Sequence, residues 1–168
     1  MINKEIETIL NEQINKEFYS AYLYLAISAY FEELGYSGFA NWAKVQAREE
    51  VDHGMRIFDH IIDRDGEVNL LQIKSPDVEL SNPFQVFNLI YEHEKKVTSS
   101  IDAIKADSDN TCDFATRQFI DWYVAEQVEE EKQVRDIIDQ LKLYGEDKGA
   151  MYHIDMDLGN RQYESPIK

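Results

Sequence analysis

Glu49-Glu50-Val51-Asp52-His53 lies inside a tract where Phe39, Trp42, Gln46, Glu50, His53, Ile57 and Ile61 follow one another at steps of three and four. Such steps are the signature of one face of an α-helix. A carboxylate and an imidazole therefore stand where the apolar stripe of that helix would otherwise continue. Three residues apart on a helix, Glu50 and His53 can reach the same point in space, while Glu49 looks slightly aside. The same pattern recurs further along the chain. Glu17 precedes Glu50 by the interval that separates Glu94 from Gln127, and Gln127-Val128-Glu129-Glu130 echoes Glu50-Val51-Asp52-His53. Glu17, Glu94 and Glu130 also interrupt apolar stripes. An ionised carboxylate in a dry interior costs several kcal/mol unless a cation compensates it. Four of them converging with one histidine point to bound metal.

The expected architecture is all-α. A first helix over 4–34 carries Ile6, Leu10, Glu17, Ala21, Tyr24 and Phe31 on one face and stops at Gly35. A short joint makes the second helix, over 38–65, antiparallel to it. From Gly66 to Asn82 the helical period is lost, although Val68, Leu70, Leu71 and Ile73 are apolar. A connection of that length, extended at about 3.3 Å per residue, can cross the full height of a helix bundle. Asn82-Pro83 then supplies an N-cap and a proline at the first helical position, with Gln85 as capping-box partner. The third helix is expected over 83–106, with Phe87, Ile90, Glu94, Val97, Ile101 and Ile104 inward. Asp107 to Thr111 reads as a polar turn. The fourth helix, over 111–144, has Phe119, Trp122, Glu126, Gln127, Glu130, Val134, Ile137 and Leu141 as its expected inward line. A short fifth helix is expected over 147–158. Residues 1–168 are thus expected to form one domain: a four-helix bundle of two antiparallel pairs joined by a long crossover, plus a short C-terminal helix.

Composition narrows the function. The chain has 168 residues, enough for one good core, with 33 acidic against 17 basic residues and a formal charge of −16. Nucleic-acid backbones require a surplus of Lys and Arg, so cations are the more natural ligands. Cys112 is the single cysteine, which rules out an internal disulfide and a thiolate metal site and fits a reducing, cytoplasmic setting. No stretch approaches the apolar length needed to span a membrane, and the first residues lack the features of a signal peptide.

Oxygen-rich coordination with one imidazole and open positions suits Fe(II), Mn(II) or Zn(II), and redox-active iron is the reading adopted. A central carboxylate can bridge two ions about 3.5 to 4 Å apart. Glu50 is placed for that role, with Glu17 and His53 completing one ion and Glu94 and Glu130 the other. The rival reading is a metal-free interaction module in which Lys16, Arg48, Lys95 and Lys132 neutralise the buried acids. Each of these basic residues adjoins a stripe residue in sequence and so points elsewhere. His93 stands about 100° round the helix from Glu94, which predicts a solvent or bundle-surface position. His60 reads as a hydrogen-bonded core histidine. Gly54 costs about 1 kcal/mol in a helix interior relative to alanine, and close packing is the one reason the sequence suggests.

Four stretches, Asn11-Glu-Gln-Ile-Asn-Lys-Glu17-Phe-Tyr-Ser20, Glu49-Glu50-Val-Asp-His53, Tyr91-Glu-His-Glu94 and Asp121-Trp-Tyr-Val-Ala-Glu-Gln127-Val-Glu-Glu-Glu131, give the chain a full-length resemblance to non-haem bacterial ferritins. The resemblance implies a ferritin-like fold, a cage of 24 subunits, and oxidation of Fe(II) by dioxygen or hydrogen peroxide with storage of the ferric mineral inside. It assigns Glu17, Glu50 and His53 to a first iron, and Glu94 and Glu130 to a second bridged by Glu50. Gln127 would stand beside the dioxygen position, and Tyr24 would hydrogen-bond near the site and supply an electron. Glu49, Glu126, Glu129 and Glu130 would hold a third iron. Haem-binding relatives carry methionine after the bridging glutamate and end their last motif in histidine. Val51 and Glu130 stand at those places here, so no haem is expected. The acidic pair that lines the iron entry of animal ferritins falls on Arg117 and Ile120. Non-storing relatives with a cysteine-rich module do not fit a chain with one cysteine.

Overall fold

The computed structural model describes residues 2–145 and 147–165. Five helices follow in order: α1 (Lys4–Glu33), α2 (Ser37–Asp63), α3 (Pro83–Asn110), α4 (Phe114–Tyr144) and α5 (Lys148–Gly159). α1 packs on α2 and α3 on α4, the two pairs forming the bundle, while α5 lies against α2. Side-chain caps fix four starts. Asn3, Asn82, Asp113 and Asp147 accept from the backbone N–H of Glu5, Gln85, Thr116 and Ala150 respectively, satisfying donors that a helix leaves unpaired. Gly35, at φ 80, makes the left-handed turn after α1, a conformation with little cost only for glycine.

Two expectations are corrected. The polar run after Ala106 does not break α3, which continues to Asn110. Ser108 turns its hydroxyl back onto the Ile104 carbonyl at 2.7 Å, and Asp109 pairs with Arg117 at 2.7 Å, so these side chains support the helix rather than compete with it. The reversal is confined to Thr111, Cys112 and Asp113, with Cys112 at φ 54. The inward line of α4 is also turned by one position at its start. Ile120 and Tyr123 are buried, whereas Phe119, Trp122 and Glu126 are half-buried on the flank. Ile120, Tyr123, Gln127, Glu130, Val134, Ile137 and Leu141 keep a strict alternation of three and four. Arg56 lies 4.2 Å from the Trp122 ring centroid, giving that exposed edge a cation–π partner.

The crossover lies along α1. Asn11 donates to the Glu67 carbonyl at 3.0 Å and accepts from the Asn69 N–H at 2.6 Å. Asn15 donates to the Gln72 carbonyl at 3.2 Å, and the Tyr30 hydroxyl donates to the Ser81 carbonyl. Lacking a helix or sheet ladder of its own, the exposed crossover is tied to α1 by these side-chain partners. At the far end, Asp155 of α5 accepts from the N–H groups of Gly38 and Phe39 at 2.9 and 3.0 Å. A Cβ on Gly38 would lie 1.6 Å from the Asp155 carbonyl oxygen, so this junction admits no side chain.

The core has two apolar lobes. One gathers Leu23, Tyr24, Ile27, Phe31, Phe39, Trp42, Phe87, Ile90, Val134 and Ile137. The other gathers Ile6, Leu10, Ile14, Ile57, Ile61, Val97, Ile101, Ile104, Ile120 and Tyr123. On all four long helices the residues between the lobes are polar and buried: Glu17 and Ser20, Glu50 and His53, Glu94, Gln127 and Glu130.

Candidate metal centre

That polar layer brings the expected ligands together. Atoms of Glu17, Glu50 and His53 lie within 4.8 Å of one another, as do atoms of Glu50, Glu94 and Glu130. Glu50 belongs to both groups. α1 contributes Glu17, α2 the pair Glu50 and His53, α3 Glu94, and α4 Glu130, so each helix presents its candidate ligand through the stripe that also packs the lobes.

Neutral donors hold the carboxylates in place. Gln13 donates to Glu17 at 2.8 Å and accepts from Ser100 at 2.6 Å. Gln46 donates to Glu130 at 3.2 Å, and Gln127 donates to Glu94 at 3.2 Å. The Tyr24 hydroxyl donates to Glu94, and the Tyr123 hydroxyl donates to the His53 carbonyl at 2.7 Å. Each bond uses one acceptor lone pair and leaves others. Glu50 Oε1, Glu130 Oε2 and His53 Nε2 are buried without a hydrogen-bond partner. Buried polar atoms are otherwise almost always satisfied, and these three belong to the residues grouped around Glu50 and are of the types that could bind a metal ion.

Electrostatics agrees. Burial, followed by the charge of Glu94 and Glu17, holds the Glu50 carboxyl well above the usual carboxylate range. Burial, followed by Glu50 and Glu94, does the same to Glu130, and burial raises Glu94. Desolvation and like charges both disfavour ionisation, and a cation reverses both. The rival reading loses its premise, because the basic residues it needs are engaged elsewhere. Lys16 donates to Ser100, Lys95 pairs with Glu92, Lys132 pairs with Asp136, and Arg48 covers the Tyr163 ring. Among the described residues, no Lys or Arg forms an ion pair with Glu17, Glu50, Glu94 or Glu130.

The residues expected around a third ion are less gathered. Glu126 is half-buried and joins His53 and Glu130 in a group within 4.8 Å. Glu129 is exposed and accepts from Gln133. Glu49 is paired with Arg161 at 2.6 Å. Tyr24 is fully buried, its hydroxyl kept protonated by burial and by the charges of Glu94, Glu50 and Glu130.

Other expectations resolve as follows. His93 lies half-buried at the surface of the bundle, with Nε2 2.7 Å from the Ser20 hydroxyl, and burial, followed by Lys96, lowers its pKa to about 4. α1 closes over that side of α3, which a single-helix projection does not reveal. His60 stacks on Phe119 with centroids 3.9 Å apart and meets Thr116 at 3.2 Å. Gly54 faces the Phe18 ring, where a Cβ would lie 2.6 Å from Cε1. Ile120 is fully buried and Arg117 is paired with Asp109, so neither provides an acidic entry. Gln13, Gln46, Tyr123 and Arg161 were not anticipated as site residues. Gln13 stands one turn before Glu17 and Gln46 one turn before Glu50, a spacing from which both could have been inferred; nothing local marks Arg161.

Comparison with known proteins gives a consistent result. The family description "Ferritin-like domain" matches residues 7–144. A bacterial non-heme ferritin of Bacteroides fragilis is 38% identical over 161 residues, covering 96% of this chain and 100% of the relative. One from Campylobacter jejuni is 37% identical over 160 residues, covering 95% and 96%. An open-pore ferritin from Archaeoglobus fulgidus superposes with a TM-score of 0.95 at 44% identity, covering 96% of this chain and 100% of that one. A closed form of the Archaeoglobus ferritin engineered by mutagenesis gives 0.96 at 43%, covering 98% and 100%. With the buried carboxylate and histidine layer at the level where four helices meet, these likenesses show that the chain belongs to the ferritin family of iron-storage proteins.

Proposed function

We propose that each subunit oxidises Fe(II) at a dinuclear centre before the ferric product is stored. Two ligand groups sharing Glu50, with partnerless atoms on Glu50, Glu130 and His53, carry this reading. Glu17 and His53 hold one ion, Glu94 and Glu130 the other, and Glu50 bridges them. Carboxylates favour Fe(III) over Fe(II), so the site lowers the cost of losing an electron from each ion. Two Fe(II) ions together give two electrons. With two protons these reduce dioxygen to hydrogen peroxide, or hydrogen peroxide to two waters. Iron supplies the redox chemistry; the protein supplies geometry and a dry surround. Gln127, bonded to Glu94, borders the space where the oxidant enters, and Tyr24 steadies Glu94 and is placed to supply an electron.

The same reading makes residues 1–168 one domain that assembles into a homo-oligomeric cage of 24 subunits, acts in the cytoplasm and takes no haem. The negative charge of the chain favours cation entry and mineral seeding. Of the four carboxylates that the resemblance gives to a third ion, Glu126 and Glu130 lie in one group with His53, Glu129 is exposed, and Glu49 is engaged by Arg161 at 2.6 Å. Aerobic Fe(II) addition, followed by ferric absorbance, tests the reading with a Glu50→Ala, His53→Ala double variant. The variant is expected to oxidise iron no faster than buffer, and a rate near wild type refutes the dinuclear centre. Iron-loaded protein should elute as a large, iron-dense assembly; its absence removes storage in a cage even if oxidation persists.

A further inference from the structure

The chain beyond α5 returns to the metal centre. The side chains of Arg161 and Glu49 are 19% and 16% exposed, and Nη2 lies 2.6 Å from Glu49 Oε2. The guanidinium stands 5.1 Å from the Trp42 ring centroid, and its Nη1 is buried without a hydrogen-bond partner. The segment is pinned at several points. Asn41 donates to the Arg161 carbonyl at 2.9 Å, the hydroxyls of Tyr163 and Ser165 donate to Asp52, and Arg48 covers the Tyr163 ring. Glu49 adjoins the ligand Glu50 in sequence and feels the charges of His53 and Glu126.

We infer that the Arg161 guanidinium stands in for a third cation beside Glu49, withholding that carboxylate and limiting each subunit's centre to two ions. The inference rests on the dinuclear reading above. An arginine suits the role because it keeps its charge at any physiological pH and stacks on an aromatic face while pairing with a carboxylate. Its single positive charge satisfies Glu49 but leaves Glu126 and Glu129 without a metal. A mere anchor for the C-terminus would not need its charge placed against a carboxylate adjoining the bridging ligand, nor an Nη1 turned into a buried space with no acceptor. Arg161 acts through Glu49 and is a specificity-determining residue, not a catalytic one.

Anaerobic calorimetric titration with Fe(II) alone reads the ion count without turnover. Wild type is expected to take two tight ions per subunit. Arg161→Gln is expected to take three, and Arg161→Gln with Glu49→Gln to return to two. Arg161→Lys, which keeps the charge, should stay at two. Tyr163→Phe loosens the segment without touching Arg161 and should open a weaker third site, so the claim remains refutable even if Arg161→Gln does not fold. Two ions in Arg161→Gln, or in Tyr163→Phe where Arg161→Gln does not fold, or three in wild type, overturns the inference and leaves the dinuclear centre standing. Fewer than two in wild type overturns the dinuclear centre itself.

Discussion

Replacing Gly54 by alanine sets two opposed effects against each other at the residue after His53. In a helix interior alanine is favoured over glycine by about 1 kcal/mol, so without neighbours the change would stabilise the protein. The new Cβ, however, would lie 2.6 Å from Phe18 Cε1, 3.0 Å from Cδ1 and 3.2 Å from Cζ. Carbon atoms rest at about 3.5 to 4.0 Å, so the ring must move by about 1 Å. Phe18 is half-buried against the lobe formed by Ile6, Leu10 and Ile14, and displacing a packed ring costs about 1 to 3 kcal/mol. The net effect is a loss of about 1 kcal/mol. In a Phe18→Ala background the obstacle is gone, and Gly54→Ala should stabilise by about 1 kcal/mol. The cycle therefore has a coupling of about 2 kcal/mol between the two positions. Denaturant unfolding of the four metal-free proteins at equal subunit concentration measures it. If Gly54→Ala stabilises equally in both backgrounds, the contact is not what excludes a side chain there.

Protonation gives a second expectation. Burial, followed by the Lys96 charge, lowers the His93 pKa from 6.5 to about 4, so as pH falls through this window the unfolded chain binds a proton before the folded one. Stability is complete above pH 6.5 and declines towards pH 4, by about 3 kcal/mol for this group. His93→Gln should remove that part of the pH dependence in melting curves; an unchanged difference between pH 7 and pH 4.5 refutes it. At the centre, Tyr24→Phe removes the phenol donor to Glu94 and leaves Gln127 as its side-chain donor. Stability should fall by about 1 to 3 kcal/mol while calorimetry still counts two ions. Loss of an ion would place the phenol in the binding set.

What could be read in advance follows from how each feature is encoded. The inward lines of α1, α2 and α3 hold residue for residue, because a buried face at a period of three and four leaves its record in the order of the chain. The five central candidate ligands lie on those lines or on the matching line of α4. Phe119 and Trp122 misled because two adjacent lines of α4 are both aromatic, and the choice of Ile120 and Tyr123 depends on how the neighbouring helices are turned. The stretch Asp107-Ser-Asp-Asn110 looked like a turn by composition, yet Ser108 and Asp109 find partners at Ile104 and Arg117. Gly54 and Arg161 belong to contacts between distant segments. Their partners, Phe18 and Glu49, cannot be deduced from local spacing.

The interruption of the apolar core at one level has a broader meaning. Cohesion of the chain comes from the storeys above and below, and the groups that could hold metal come from the storey between them. Substitutions that retune the middle can leave the folding determinants intact, and drift in the outer storeys need not disturb the candidate metal site. A bundle partitioned in this way can change what it does with metal without having to relearn how to fold.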